Sequence, residues 1–329
     1  MKAASDRPIV VDFHAHLVMP EVLAATYEHS LFAKVVQKKG ADGRAEPLPA
    51  AQMRRMTDVE VRLREMDAMG IDVQVISPSI LHQCSYALDE RRGAEIERLS
   101  NDLVAAMVMR HPDRLAGIGS LPLQNVDLAL EEFERAVGLG LKGVIISSHV
   151  NGRELGDAAL RPFWAKAQEL DASVFIHPAG NTDPRLVRHR RLTSFGQQIE
   201  EAFAIHSLVY DGVMDAFPEI KVAFAHGGGF LPYYAGRLDF FHRKGYSPTL
   251  KGEFSSYLGR FHYDTVVFDP KMIETLAGKV PAECIMMGTD FPFAETDPVG
   301  LVRRAEKLSK AQQDGILGAN AARFLGLRL

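Results

Sequence analysis

Val10-Val11-Asp12-Phe13-His14-Ala15-His16 is an apolar run that ends in two histidines one residue apart. Read as a β-strand, it turns successive side chains to opposite faces, so His14 and His16 project to one side at the strand's C-terminal end. Zinc and similar ions take imidazole nitrogen at roughly 2.0–2.1 Å, and two imidazoles on one rigid strand fix half of a coordination shell with little further loss of freedom. A bare His-x-His is more often a pair of histidines packing or capping at a strand end. The metal reading therefore stands or falls on ligands supplied elsewhere in the chain.

Outward from this run, apolar strand signatures recur at 72–78, 115–121, 143–148, 173–177, 221–226, 262–267 and 284–290. Helical patterns separate most of them, at 58–70 (stopped by Gly70), 90–111, 127–138, 157–170, 199–217 and 231–242, and further helices at 299–308 and 314–324 close the chain. Eight strands alternating with helices predict a (β/α)8 TIM barrel, α/β in class, rather than an open doubly wound sheet. No linker or repeat divides the chain, so 1–329 reads as one domain with an inserted segment at 17–57 after the first strand. That segment carries Pro20, Gly40, Gly43, Pro47 and Pro49, and it is either a cover for the active site or an ordinary surface excursion with a short helix. Arg54, Arg55 and Arg62 at its end either reach an anionic substrate or form a solvated helix face. A second unusual loop, 178–197, holds Arg185, Arg188, Arg190 and Arg191 near His189.

The 38 basic and 42 acidic residues nearly balance, for a formal net charge of -4, which implies no broad basic surface for nucleic acid. A small-molecule role is the default. Cys84 and Cys284 are too few for a disulfide framework and suit a reducing cytoplasm. Residues 1–8 lead into the first strand without an apolar signal core, and no apolar run is long enough to span a bilayer, so a soluble cytoplasmic protein is expected.

The distinctive polar residues fall at the ends of the first, fifth, sixth and eighth strands: His14 and His16, His177, His226 and Asp290. In a barrel those ends share one face. Three imidazoles and one carboxylate suffice for a mononuclear site with a position left for water, and one histidine remains for acid–base work. Each histidine alone is more often a core residue satisfied by hydrogen bonds, but joint placement at four strand ends is hard to obtain that way.

His14-Ala15-His16, His177-Pro178, His226-Gly227-Gly228-Gly229 and Gly288-Thr289-Asp290-Phe291-Pro292-Phe293 resemble the amidohydrolase superfamily, and within it the branch of metal-dependent, oxygen-independent decarboxylases. The stretches 65–75, 121–124 and 226–237 are similar to those of the aminocarboxymuconate-semialdehyde decarboxylases. The resemblance implies that His14, His16, His177 and Asp290 hold a single divalent metal, usually zinc with manganese the alternative. It makes His226, beside a metal-bound water and Asp290, the acid–base residue. Arg237 matches an arginine that reaches the neighbouring subunit's site and grips the substrate carboxylate, which implies a homodimer; otherwise Arg237 reads as a surface salt bridge with Asp239. Phe293 matches an aromatic wall of the substrate pocket. Where dinuclear members carry a bridging lysine or glutamate after strand four, this chain has Ser147-Ser148-His149, so a single metal is preferred. Two features depart from the family: a second substrate-binding arginine has no match near Ala50, and the 178–197 loop lacks the family's tryptophan-bearing segment. The activity implied is nonoxidative decarboxylation of a small unsaturated or aromatic carboxylic acid. The alternative is hydrolysis of a lactone, amide or ester by the same site.

Overall fold

The computed structural model describes residues 7–29, 50–180, 183–186, 191–247, 249–293 and 296–328. The strands are β1 (Val11–Leu17), β2 (Val73–Pro78), β3 (Leu115–Gly117, resumed at Gly119–Ser120), β4 (Gly143–Ile146), β5 (Ser173–Ile176), β6 (Lys221–Phe224), β7 (Phe261–Asp264) and β8 (Ile285–Met286). Every neighbouring pair from β1 to β8 is parallel. The ring closes through backbone bonds between β1 and the chain leaving β8: Phe13 N donates to Met287 O at 2.8 Å and His16 N to Phe291 O at 2.8 Å. The fold is a (β/α)8 barrel. Its strands are short and buried on both faces, which is why they read as continuous apolar runs rather than alternating ones.

Parallel strands need crossovers, and the helices supply them: α1 (Pro20–Thr26), α2 (Ala50–Thr57), α3 (Val59–Met69), α4 (Glu90–Arg110), α5 (Val126–Gly138), α6 (Arg161–Glu169), α7 (Gln197–Tyr210), α8 (Leu231–Arg243), α9 (Pro270–Ala277), α10 (Pro298–Arg303) and α11 (Asn320–Leu325). Caps set several of their limits. Asp58 accepts from Glu60 N and Val61 N to start α3, and Gly70, at φ 73°, ends it. One apolar cluster packs the helices onto the outside of the strands. A second, built from residues such as Val11, Phe13, Val75, Ile145, Phe175, Ala223 and Met286, fills the interior, with Phe324 of α11 edge-on to Phe13.

Several boundaries differ from the sequence reading. The seventh strand, expected at 262–267, ends at Asp264, whose carboxylate caps Val266 N at 3.0 Å instead of letting the ladder continue. The eighth, expected at 284–290, pairs only over Ile285–Met286, because the chain then bends toward β1 and reaches φ 56° at Asp290. The 199–217 helix is broken at Gly212, at φ 71°, into α7 and a short turn at Val213–Ala216. Helix α9 was not anticipated, although Asp269 caps it and Pro270 opens it. Of the 17–57 insertion, the described parts are α1, the turn to His29 and α2; residues 30–49 lie outside the described residues, as do Arg188, His189 and Arg190 of the second loop. No helix among the described residues is long and apolar enough to cross a membrane.

Candidate metal centre

His14 and His16 leave β1 fully buried. The carboxylate of Asp264, at the end of β7, accepts from His14 Nδ1 at 2.6 Å, and its other oxygen accepts from Gly227 N at 3.1 Å and Val266 N at 3.0 Å. With the proton held on Nδ1, the lone pair of His14 Nε2 faces inward. It lies 3.1 Å from His16 Nε2, and Asp290 Oδ1 lies 3.4 Å from the first nitrogen and 3.1 Å from the second. His177, at the end of β5, donates from Nδ1 to Pro178 O at 3.2 Å, and its ring centroid is 4.7 Å from that of His16. One donor atom from each of His14, His16, His177 and Asp290 falls within 4.8 Å of all the others.

Electrostatics favour the ligand forms. Burial lowers the pKa of His16 and, with His16 and His14 beside it, holds His177 well below the usual imidazole range. Both are therefore neutral donors near pH 7. Burial acts to raise Asp290, but His14 and His16 outweigh it and keep the carboxyl below its ordinary value. Imidazole lone pairs facing one another beside a carboxylate, out of water, repel unless a cation joins them. Three imidazole nitrogens and one oxygen form a donor set that fits a borderline divalent ion. The cluster could hold a divalent metal ion. The end of β4 adds no lysine or glutamate to bridge a second ion: Ser147 Oγ accepts from Ala179 N at 3.3 Å, and Ser148 Oγ donates to Glu200 at 3.1 Å.

His226 follows β6 at φ 49°, a conformation uncommon for residues with a side chain. The three glycines after it are required by close approach: a Cβ on Gly228 would lie 2.7 Å from the ring of Tyr263, and one on Gly229 would lie 2.4 Å from Gln198 O. This turn aims the imidazole. Its Nδ1 pairs with Glu201 of α7, and its Nε2 lies 4.0 Å from Asp290 Oδ2. Burial acts to lower the pKa of His226, but the charges of Glu201 and Asp290 outweigh it and raise the group. Burial pushes Glu201 up to about 7.

His16, His177, His226 and Asp290 form one side of a cavity of about 600 Å³. Phe293 lines it with its ring centroid 5.9 Å from His16, and Val266, Val267 and Met272 continue an apolar wall. Arg237 does not line this cavity. It is exposed on α8 with its guanidinium 5.2 Å from the Phe241 ring centroid. Asp239, its alternative partner, instead accepts from Ser255 N at 2.9 Å.

Several supporting residues escaped the sequence reading. Arg62 neither reaches into the cavity nor faces solvent: it is buried, with its guanidinium donating to Gln74 Oε1 at 2.6 Å and to His16 O at 2.5 Å. Gln74 Nε2 donates in turn to Asp12, which also accepts from Thr289 Oγ1 at 2.6 Å, one residue before Asp290. Arg55 is paired with Glu65 at 2.6 Å and donates to Pro292 O, and Arg185 is paired with Asp183.

The amidohydrolase family model matches residues 11–327. The chain belongs to the amidohydrolase family. Over 284 residues it is 32% identical to a 2-amino-3-carboxymuconate-6-semialdehyde decarboxylase of Dictyostelium discoideum, covering 82% of this chain and 77% of that one. Over 297 residues it is 29% identical to a gamma-resorcylate decarboxylase of Rhizobium radiobacter, covering 83% and 89%. The solved 5-carboxyvanillate decarboxylase of Sphingomonas paucimobilis superposes with a TM-score of 0.86 at 26% identity, covering 97% of this chain and 99% of that one. Within the family, the chain falls in the branch of these metal-dependent decarboxylases.

Proposed function

We propose that this chain is a metal-dependent nonoxidative decarboxylase of a small unsaturated or aromatic carboxylic acid. The observation that carries the reading is the placement of His226 against the four-donor cluster on one side of a largely apolar-walled cavity. A divalent metal held by His14, His16, His177 and Asp290 supplies Lewis-acid polarisation of a substrate oxygen. Everything else falls to the chain's own side chains. Glu201 holds Nδ1–H of His226, so Nε2 is the position from which a proton is given. Delivered to the carbon bearing the carboxylate, that proton makes the carbon tetrahedral. The C–C bond then breaks, its electron pair returns to the unsaturated system, CO2 leaves, and His226 regains a proton from solvent. Phe293 and the valines pack against the apolar body of the substrate and keep water from the reacting carbon.

Zinc is the first choice for a site of three imidazoles and one carboxylate, with manganese the alternative. Residues 17–57 serve as the cover of the site within a single domain: Arg55 of α2 ties that segment to the chain beside Phe293 through Pro292 O at 3.0 Å. The cytoplasm suits the two free thiols, Cys84 and Cys284. The test is metal content by mass spectrometry beside CO2 release from unsaturated and hydroxylated aromatic acids. About one divalent ion per chain, CO2 evolution, loss of turnover with a chelator and its return with zinc or manganese are expected. Opening of an added lactone without CO2 release would replace this reading with hydrolysis.

The active form is a homodimer in which Arg237 grips the substrate carboxylate in the other subunit. Supporting this, the exposed side of α8 puts Tyr234 and Phe240 into solvent at 62% and 48% exposure around that arginine, a composition typical of interface cores rather than free surface. Mixing Arg237→Ala with His226→Ala protein should recover activity that neither variant has alone. No recovery after confirmed subunit exchange would sink the shared site.

A further inference from the structure

The segment that joins β7 to α9 departs from ordinary backbone at one residue. Phe268 stands at φ 54°, in the left-handed region where a Cβ crowds the backbone and where glycine, or at times asparagine or aspartate, is the usual occupant. A phenylalanine there is a strained choice. The chain holds it on both sides. Before it, Asp264 ends the ladder by accepting from Val266 N at 3.0 Å, and Val267 N donates to Thr265 O at 2.7 Å in a tight turn. After it, Pro270 opens α9 and keeps Asp269 extended, at φ -138° and ψ 121°, with its carboxylate accepting from Lys271 N at 2.9 Å. Strain of this kind persists only where the neighbours over-determine it, and it collects at ligand sites.

The packing of the ring does not account for the choice. Val266 is buried and Val267 packs against the outer apolar cluster, whereas Phe268 is 56% exposed. All of them line the cavity that holds His16, His177, His226 and Asp290. An exposed ring adds little to folding, so a glycine would serve the backbone better. What the phenylalanine supplies is a flat apolar face at the edge of the site. We propose that Phe268 is a substrate-contact residue whose ring packs on the unsaturated body of the bound acid, and that its strained backbone is kept for that contact. The inference rests on the decarboxylase reading for the kind of molecule bound, and on the backbone and exposure of Phe268 for the contact. A phenyl ring neither holds a metal nor carries a proton, so the contact acts alike on the bound acid and on its transition state. Its loss belongs in KM and leaves kcat nearly unchanged.

Phe268→Gly separates a binding role from a structural one, because it removes the ring and relaxes the backbone together. Metal-loaded parent and variant are compared by melting temperature, by size-exclusion mass, and by KM and kcat for the unsaturated or hydroxylated aromatic acid from which the parent releases CO2. The variant should melt at or above the parent, keep its mass and kcat, and raise KM about tenfold, the scale of one lost aromatic contact. Phe268→Tyr keeps the face and should keep the parent's KM. A parental KM in the glycine variant overturns the proposal. So does a large fall in melting temperature or a change of mass, since the ring would then serve the fold or an interface. If the parent releases CO2 from no acid and opens an added lactone instead, the decarboxylase reading falls, and the same comparison with that lactone decides the contact on its own.

Discussion

Two buried imidazole–carboxylate pairs lie side by side in this site and are built differently. In His14–Asp264 the carboxylate also accepts from Gly227 N and Val266 N, so three donors hold its charge in place. In His226–Glu201 the carboxylate has one named donor, the imidazole, and its second oxygen is buried without a partner. A carboxylate fixed by several hydrogen bonds acts as an orienting anchor, which is what a ligand needs from the residue behind it. A buried carboxylate with one donor is poorly stabilised, and burial pushes Glu201 up to about 7. Under the proposed function, an imidazole backed by a buried carboxylate serves as a rigid ligand in one case and a proton carrier in the other, according to how many backbone N–H groups reach the acid.

Crossed substitutions should break that comparison cleanly. Glu201→Gln keeps the shape but removes the charge behind His226, and turnover should fall on the order of a hundredfold or more, the scale of a positioned acid–base residue, with metal content unchanged. Asp264→Asn removes the anchor behind His14, and metal affinity should weaken about 10–100-fold, with turnover restored by excess metal. Initial rates of CO2 release and equilibrium dialysis of the metal separate the two. Loss of metal in the glutamate variant, or a turnover defect in the aspartate variant that saturating metal fails to correct, would mean the pairs are not specialised.

How much of this was legible in the chain follows from where each residue sits. His14, His16, His177, His226 and Asp290 stand at the ends of apolar runs, and parallel strands in a ring bring such ends together, so pattern alone groups them. Asp264 also stands at a strand end, but the run was read on to Val267, and that hid the point where the carboxylate stops the ladder. Glu201 is the fifth residue of a helix and gives no such signal: its role depends on how α7 tilts over the glycine turn, which only packing decides. Arg62 lies in a helix of alternating charge, where sequence favours solvent. The lesson of these misses is consistent. The residues of the four-donor cluster are readable from strand order, and the residues hydrogen-bonded behind them are not, because they reach the cluster from other elements.

Arg62 sharpens the comparison by supporting His16 as Asp264 supports His14, but through the backbone and with a smaller effect expected. Burial lowers its pKa to about 10, against the opposing charges of Asp12 and Glu65, so at neutral pH it remains a cation inside the protein. It is held there by Gln74 Oε1, the His16 carbonyl and the face of Phe291, 4.7 Å from its guanidinium carbon. Arg62→Met keeps much of the aliphatic volume and leaves two acceptors without a donor, and it removes a buried positive charge that interacts with Asp12. The expected cost is about 2–4 kcal/mol, the range for breaking buried charge-assisted hydrogen bonds. Because the network ends on Thr289 as well as on His16, it fixes the chain on both sides of the metal cluster, from β1 and from the segment after β8. Metal affinity should therefore weaken along with stability, by roughly tenfold. Thermal unfolding with and without added zinc measures both effects at once. A variant that melts like the parent would show that the buried cation is dispensable, and one that melts early yet binds metal normally would confine its role to the fold.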